Sequence, residues 1–486
     1  MMRGGMNCES IVSQAMAASK VSIMSTWTVK AGGSLTEEHC HSDNCKIIEL
    51  TPWDILELQI EYGQGGVFYR MPTSQQVRDL SKATNTDSLI DHLRVSLSRV
   101  LDFFHPFCGR LEAITEQISG TTSFFINCNN AGVQFIHAKA DNGVTVDNIL
   151  ESNFVPQVVQ ELFPLKGVQN KEATSQPLLA VQVTEFVDGI FIGCSSNHTV
   201  ADGSSFWHFY DSWAEISCGS NVISKIPVLK RQFPFKIENL SKRISIPNER
   251  INVAGDHKFI PPAVQITLRE KVFHFTRESV AKLKAKANLE MNTTKVSSLQ
   301  AVLAHVWRSV IHCRRHLDHS DETTFEVSIN MRERLNPPLP EGFFGNAIYP
   351  STITIKTGEL LEHGFGWAAL QINEMIASHD HKKFKCIYES WMKDPEVTKL
   401  DDLPSNYFML HNSPRFNVYK YDFGWGKPIA HRSGGGNLFD GKITVLPGLE
   451  QGSINLEICL SSKTMQELEE DKIFGEFVTT PIVGVE

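Results

Sequence analysis

Residues 180–203, AVQVTEFVDGIFIGCSSNHTVADG, carry the strongest local signal in the chain. From Ala180 to Phe186 apolar and polar side chains alternate, the period of a β-strand. Asp188-Gly189 supplies a two-residue hairpin turn, and Ile190-Phe191-Ile192-Gly193-Cys194 is the return strand. That strand gives way to Ser195-Ser196-Asn197-His198, so His198 sits at the mouth of a strand and not inside it. Polar loops held by rigid strands are where reacting groups usually sit. After Asp202-Gly203, the run SSFWHFYDSWAEI predicts a helix with Phe206, Phe209, Trp213 and Ile216 on one face, ended by Gly219.

Strands and helices alternate outward in both directions from this unit. Upstream, VSIMSTWTV at 21–29 reads as a strand. Leu89, Ile90, Leu93, Leu97, Val100, Leu101 and Phe104 form one helical stripe, terminated by Pro106 and Gly109. A strand follows, with TSFFINC at 122–128 as its partner. Residues 220–268 change character, with Pro227, Pro234, Pro247, Pro261 and Pro262 among lysines and arginines, the composition of a crossover linker. Beyond it, VFHF predicts a strand, Thr276 caps a helix, and Ser297-Ser298-Leu299-Gln300 is a capping box heading the helix LQAVLAHVWRSVI. The strand TFEVSIN leads into NMRERLNPPLPEGFFGNA, too rich in Pro and Gly for regular structure. A further helix, a strand around FNVYKYDF, and strands KITVLPG and SINLEICL complete the pattern. The expected class is α/β or α+β in two lobes, 21–219 and 269–486, with 220–268 between them and residues 1–20 as a disordered leader.

Composition excludes several functions. The chain has 486 residues, 41% hydrophobic and 21% charged, which is globular and not disordered. Its 46 basic and 55 acidic residues give a net charge of −9, and no Lys/Arg run invites nucleic acid. No stretch reaches the roughly 18 apolar residues that a membrane span requires. The ten cysteines contain no CxxC pair and no signal peptide accompanies them, so they read as reduced thiols of a cytoplasmic protein. His39, Cys40, His41 and Cys45 lie close together, but their spacing matches no common zinc finger. A polar loop is the preferred reading there, and no metal is expected.

The chemistry points to His198-Thr199-Val200-Ala201-Asp202-Gly203. An unperturbed imidazole titrates near pH 6.5, so it is available as a neutral base at about neutral pH. Asp202, four residues on, either orients the imidazole as a triad carboxylate does or turns away and locks the loop through an arginine. As a pattern alone HxxxD is weak, since most histidines at strand ends are structural or solvated. No GxSxG elbow, Walker loop, GxGxxG or HExxH competes with it. Gly434-Gly435-Gly436 precedes Asn437-Leu438-Phe439 and not a helix start, so it reads as a turn and not as a phosphate cradle. In DFGWGKP, residues 422–428, two glycines bracket Trp425, which suggests a shaped loop with the tryptophan as packing.

HTVADG followed some 220 residues later by DFGWGKP resembles the BAHD family of plant acyl-CoA-dependent acyltransferases. LTPWD at 50–54, HPFCGRL at 105–111, SSLQAVLAHVWR at 297–308 and NPPLPEGFFGNA at 336–347 support the resemblance, which spans residues 21 to about 480. The wording SPRFNVY…DFGWGKP, then RSG…FDGK, is similar to an uncharacterised-acetyltransferase-like subgroup. The resemblance implies an α/β two-domain fold like that of chloramphenicol acetyltransferase, with a solvent channel between the lobes. CoA would enter from one face and the acceptor from the other. It implies His198 as the catalytic base and Asp202 as a residue that pairs with an arginine, Arg332 or Arg334 here. Asp422, Phe423, Gly424, Trp425 and Gly426 would be structural, near the CoA channel. Arg415 corresponds in position to an arginine that holds an acceptor's carboxylate in hydroxycinnamoyltransferases, a task that a guanidinium fork suits; the bland alternative is loop packing. Asn330, where Asp is frequent, and Cys108, in place of a small apolar residue, depart mildly from the family pattern.

The implied reaction moves an acyl group from acyl-CoA to a hydroxyl or amine of a small specialised metabolite. No covalent acyl-enzyme, permanent cofactor or partner protein is needed, and a monomer suffices. Oxyanion donors are not named by the sequence; a backbone NH and the Trp425 indole are candidates. Three rival readings stay open. A condensation enzyme using carrier-bound acyl groups usually has a second histidine where Asn197 stands. A lyase would reuse His198 on a carboxylate-bearing substrate, and a non-enzymatic binding protein would keep only the fold.

Overall fold

The computed structural model describes residues 20–33, 47–235, 243–251 and 267–479. The segment holding His39, Cys40, His41 and Cys45 lies outside the described residues, as does all of the expected leader except Lys20.

Two six-stranded sheets organise the fold. The first has the spatial order Val21–Val29, Val133–Ala140, Leu179–Glu185, Gly189–Ser196, Gly63–Arg70 and Ala430–Ser433. The hairpin at 180–194 therefore forms as expected and lies inside this sheet. Its strands pair antiparallel with Val181 opposite Cys194, and the second strand runs on to Ser196. The second sheet has the order Leu268–Phe275, Ile454–Ser461, Lys442–Pro447, Tyr407–His411, Glu322–Asn330 and Ile348–Lys356. A smaller sheet pairs Arg110–Glu116 with Thr121–Asn127, and Ser245–Pro247 adds to the latter strand.

Three helices named by the sequence form as expected. Gly203–Ser217 buries Phe206, Phe209, Trp213 and Ile216, and also Trp207, Tyr210 and Ala214, so it is apolar on more than one stripe. A helix with so many buried faces is enclosed on several sides rather than lying on the surface. In the second half, Ser297 and Gln300 complete the capping box of Ser298–Cys313, and Thr276 accepts from the Ser279 amide at the head of Arg277–Glu290.

The apolar core is not divided by chain order. One cluster gathers Val29 through Ala214 together with Met331, Phe344, Phe384 and Phe423. Ala430–Ser433 crosses back to pair with Gly63–Arg70. The proline-rich stretch also packs, burying Ile223, Phe235, Ile244 and Ile246.

Several local expectations are corrected. FNVYKYDF is not a strand: only Val418–Lys420 is regular, as a short 3-10 turn. Its alternating aromatics are anchors in the first core, where Tyr421 stacks on Trp207 at 5.5 Å. The helix from Leu89 ends at Val100, and Phe104 is buried in the turn beyond it. Gly63–Arg70 was silent in the sequence because its glycines mimic a loop. One of them is required there: a Cβ on Gly66 would come 2.7 Å from the Ile192 carbonyl oxygen in the neighbouring strand.

Candidate active site

His198 emerges two residues beyond the Gly189–Ser196 strand, and its main chain is fastened on both sides. Its amide donates to Asn170 Oδ1 at 2.8 Å, and its carbonyl accepts from Asn346 Nδ2 at 2.7 Å. Arg231 donates to the next two carbonyls, Thr199 at 3.0 Å and Val200 at 2.6 Å. Arg231 and Asn346 are themselves held by Asp54, which is fully buried: Arg231 Nη1 lies 2.8 Å from Oδ2 and Asn346 Nδ2 lies 2.8 Å from Oδ1. Three consecutive carbonyls thus have fixed donors, and the loop presents its imidazole from a rigid frame. An Asn346→Ala protein leaves the His198 carbonyl and Asp54 Oδ1 without their strongest donor. A loss of about 1–3 kcal/mol per orphaned acceptor is expected, read as a lower midpoint of urea unfolding.

The His198 ring is 23% exposed. Its Nδ1 is buried without a hydrogen bond and lies 3.7 Å from Glu57 Oε2. Nε2 is therefore the nitrogen open to the surroundings.

Asp202 takes the second of the two courses open to it. It turns away from the imidazole, and its carboxylate grips Arg332 in a two-pronged pair, Nη1 to Oδ2 at 2.7 Å and Nη2 to Oδ1 at 2.9 Å. It also caps the helix Gly203–Ser217 by accepting from the Ser205 amide at 3.0 Å, and takes the Ala347 amide at 3.0 Å. Burial pushes its carboxyl up, but Arg332 and the amides outweigh that and hold it below the usual range. With both oxygens so occupied, Asp202 has no free lone pair aimed at the ring, and of the two courses it is the loop-locking one that this geometry matches. Arg332 is its partner, and Arg334 instead donates to the carbonyls of Ile376 and His379.

The DFGWG segment is a self-bonded turn. Asp422 Oδ1 accepts from the amides of Gly424 at 2.7 Å and Gly426 at 3.0 Å. Those glycines have φ of 107° and 128°, where a side chain is strained, which explains the residue pattern. Phe423 is fully buried against Trp213 at 4.9 Å, and the Trp425 ring packs on Tyr69 at 5.3 Å. The Trp425 ring, one of the oxyanion-donor candidates, is not among the residues that line the cavity beside His198.

That cavity has a volume of about 1340 Å³ and both halves of the chain line it. His198, Gly63 and Trp207 come from the first sheet and its helix, while Asn330, Asn412 and Lys442 come from the second. Lys284 and the first helical turn at Ser297 and Ser298 form another part of the wall. Arg415 lines it too, exposed and with no ion pair among the described residues. Neighbouring histidines are neutral: burial, then Lys442 and His198, hold His411 down at about 3, and burial holds His431 at about 3. Glu57, Asn170 and Arg231 carry no local sequence signal. LTPWD, which contains Asp54, and NPPLPEGFFGNA, which contains Asn346, hinted at the frame.

No helix among the described residues is long and apolar enough to cross a membrane. Residues 46–474 match the model of a family described as the Transferase family. An uncharacterized acetyltransferase of Arabidopsis thaliana is 38% identical over 438 residues, covering 88% of this chain and 94% of that protein. The BAHD acyltransferase DCR of the same plant is 34% identical over 438 residues, covering 88% of each. Among solved structures, the TRI101 protein of F. sporotrichioides, complexed with coenzyme A and T-2, superposes with a TM-score of 0.67 at 18% identity, over 89% of this chain and 99% of that one. The fold is thus the mixed α/β two-domain fold that the motifs implied. With a match across nearly the whole described length, the chain belongs to the Transferase family, that of the BAHD acyltransferases.

Proposed function

We propose that this protein transfers an acyl group from acyl-CoA to a hydroxyl or amine of a small specialised metabolite, with His198 as the general base. The observation that carries this reading is a single one: an imidazole on a rigid loop, with Nδ1 buried and Nε2 open, at the wall of a cavity of about 1340 Å³. That volume exceeds the roughly 300–1,000 Å³ of a pocket for one drug-sized ligand and suits two reactants together. In the TRI101 relative, coenzyme A and T-2 are bound together.

Nε2 takes the proton of the acceptor as its oxygen or nitrogen attacks the thioester carbonyl carbon. The carbonyl π electrons pass to the oxygen, giving a tetrahedral oxyanion. Its collapse breaks the carbon–sulfur bond, and the imidazolium returns the proton to the departing thiolate, releasing CoA. No acyl-enzyme forms, which agrees with the lack of a serine or cysteine nucleophile motif. Holding both reactants beside one base supplies much of the acceleration through proximity. Lys284 and the start of the helix Ser298–Cys313 offer a cation and the positive end of a helix dipole, suited to CoA phosphates. The described cysteines are free thiols, which suits a reducing compartment such as the cytoplasm; action as a monomer and without a resident cofactor is part of the proposal.

The acceptor is proposed to carry a carboxylate that Arg415 binds, because that guanidinium reaches the cavity wall with no acid of its own. An Arg415→Ala enzyme is expected to show a KM for an acidic acceptor raised about tenfold or more, with kcat for neutral acceptors unchanged; a charged hydrogen bond contributes about 1.5–3 kcal/mol. An unchanged KM for the acidic acceptor would remove the assignment. The overall reading is tested by mass spectrometry of products from a panel of acyl-CoAs and a plant metabolite extract, with His198→Ala as blank. Activity only with carrier-bound acyl groups, or a product without CoA release, would replace it with condensation or elimination.

A further inference from the structure

Asp54 and Asp202, two acids that hold the His198 loop, are each matched by a guanidinium, Arg231 for one and Arg332 for the other. Glu57 is different. Its side chain is only 12% exposed, it has no Lys or Arg partner among the described residues, and it lies 3.7 Å from the orphaned Nδ1 of His198. The two residues are also tied through their backbones. Asn170, fully buried, donates from Nδ2 to the Glu57 carbonyl at 2.8 Å and accepts the His198 amide on Oδ1 at 2.8 Å. One amide side chain therefore fixes the two main chains from which the carboxylate and the ring extend.

We propose that Glu57 is a positioning residue for His198: it keeps a proton on Nδ1, so that the lone pair stays on Nε2 toward the cavity, and it faces the positive charge that the ring gains on taking the acceptor's proton. The inference rests on His198 acting as the base, but the Nδ1 pairing stands independently of the reaction. Glu57 itself loses and gains no proton during turnover. The acceptor's proton passes to Nε2 and from there to the CoA sulfur.

The surrounding charges fit this role. Burial raises the Glu57 carboxyl, His198 lowers it, and Asp54 and Asp202 raise it. Glu326 faces the same region but is bonded by the Tyr407 hydroxyl, and His411 on the other side is neutral. Among the described residues, an imidazolium at His198 is then the cation in position to relieve the Glu57 charge.

The test uses the full chain and needs no known substrate. Diethyl pyrocarbonate modifies neutral imidazole, and peptide mass spectrometry reads its rate at His198 across pH 5 to 9. In Glu57→Gln the midpoint of that rate is expected to fall by about one pH unit, as loss of a nearby opposite charge requires. Glu57→Asp, with a shorter reach, is expected to fall between the two. With any acyl-CoA the wild type accepts, kcat should drop in Glu57→Gln with the acyl-CoA KM unchanged, and the pH–rate profile should move with the modification midpoint. Midpoints equal in wild type and Glu57→Gln would overturn the proposal. Should Glu57→Gln fail to fold, an unmoved midpoint in Glu57→Asp would overturn it equally. A shifted midpoint in a protein that acylates nothing would instead overturn the acyltransferase reading and leave the pair standing.

Discussion

His198→Ala is expected to slow the proposed acyl transfer by about 10²–10⁴, the range that a positioned general base contributes, in a protein expected still to fold and to bind CoA. The separation of effects follows from the way the loop is held. Its bonds to Asn170 and Asn346 run through the His198 amide and carbonyl, and the ring makes no hydrogen bond. Truncating the ring removes the base and leaves the frame. The measurement is thiol release from acyl-CoA in the presence of acceptor, beside a thermal melt and a CoA titration. A large fall in melting temperature would show that the histidine is a packing residue.

Arg332→Ala is expected to damage the fold itself. Asp202 is fully buried, and the substitution strips both strong bonds from its carboxylate, leaving only the amides of Ser205 and Ala347. Breaking a buried pair from one side costs about 3–5 kcal/mol, a large part of a total stability of about 5–15 kcal/mol. Asp202→Asn is expected to cost less, because an amide can still cap the helix and Arg332 retains some access to water, its side chain being 16% exposed. The pH dependence has a definite sign. Although burial raises the Asp202 carboxyl, Arg332 and the amides leave it below its unfolded value. The pair's contribution is therefore full above the usual Asp range and is lost as pH falls through the lowered folded value. Wild type should lose stability on acidification into that range, and Asp202→Asn should lose less of it. Urea unfolding at a series of acidic pH values reads the difference.

What the sequence made legible was local. The alternation from Ala180 to Phe186, the Asp188-Gly189 turn and the apolar faces of Gly203–Ser217 are all short-range patterns, and each appears in the structure. The placing of His198 at a strand exit followed from them. The aromatics of FNVYKYDF imitate a strand because they alternate, yet they serve as anchors under the helix, which only packing reveals. The Gly63–Arg70 strand hid behind its glycines, of which Gly66 is demanded by its neighbours. HxxxD left two orientations open for the aspartate, and the choice was made by Arg332, 130 positions away. Glu57, Asn170, Arg231 and Asn346 reach the His198 loop from four separate segments, so no spacing rule could have found them. The chemistry of this site is long-range in the chain and short-range in space.

The most direct measurement is acyl transfer with an isotopically labelled acyl-CoA, following product and free CoA together by mass spectrometry in wild type and His198→Ala. Wild type is expected to form a product bearing the label, with one CoA released per product, and His198→Ala to form almost none. Equal rates of labelled product from the two proteins would contradict the assignment of the base.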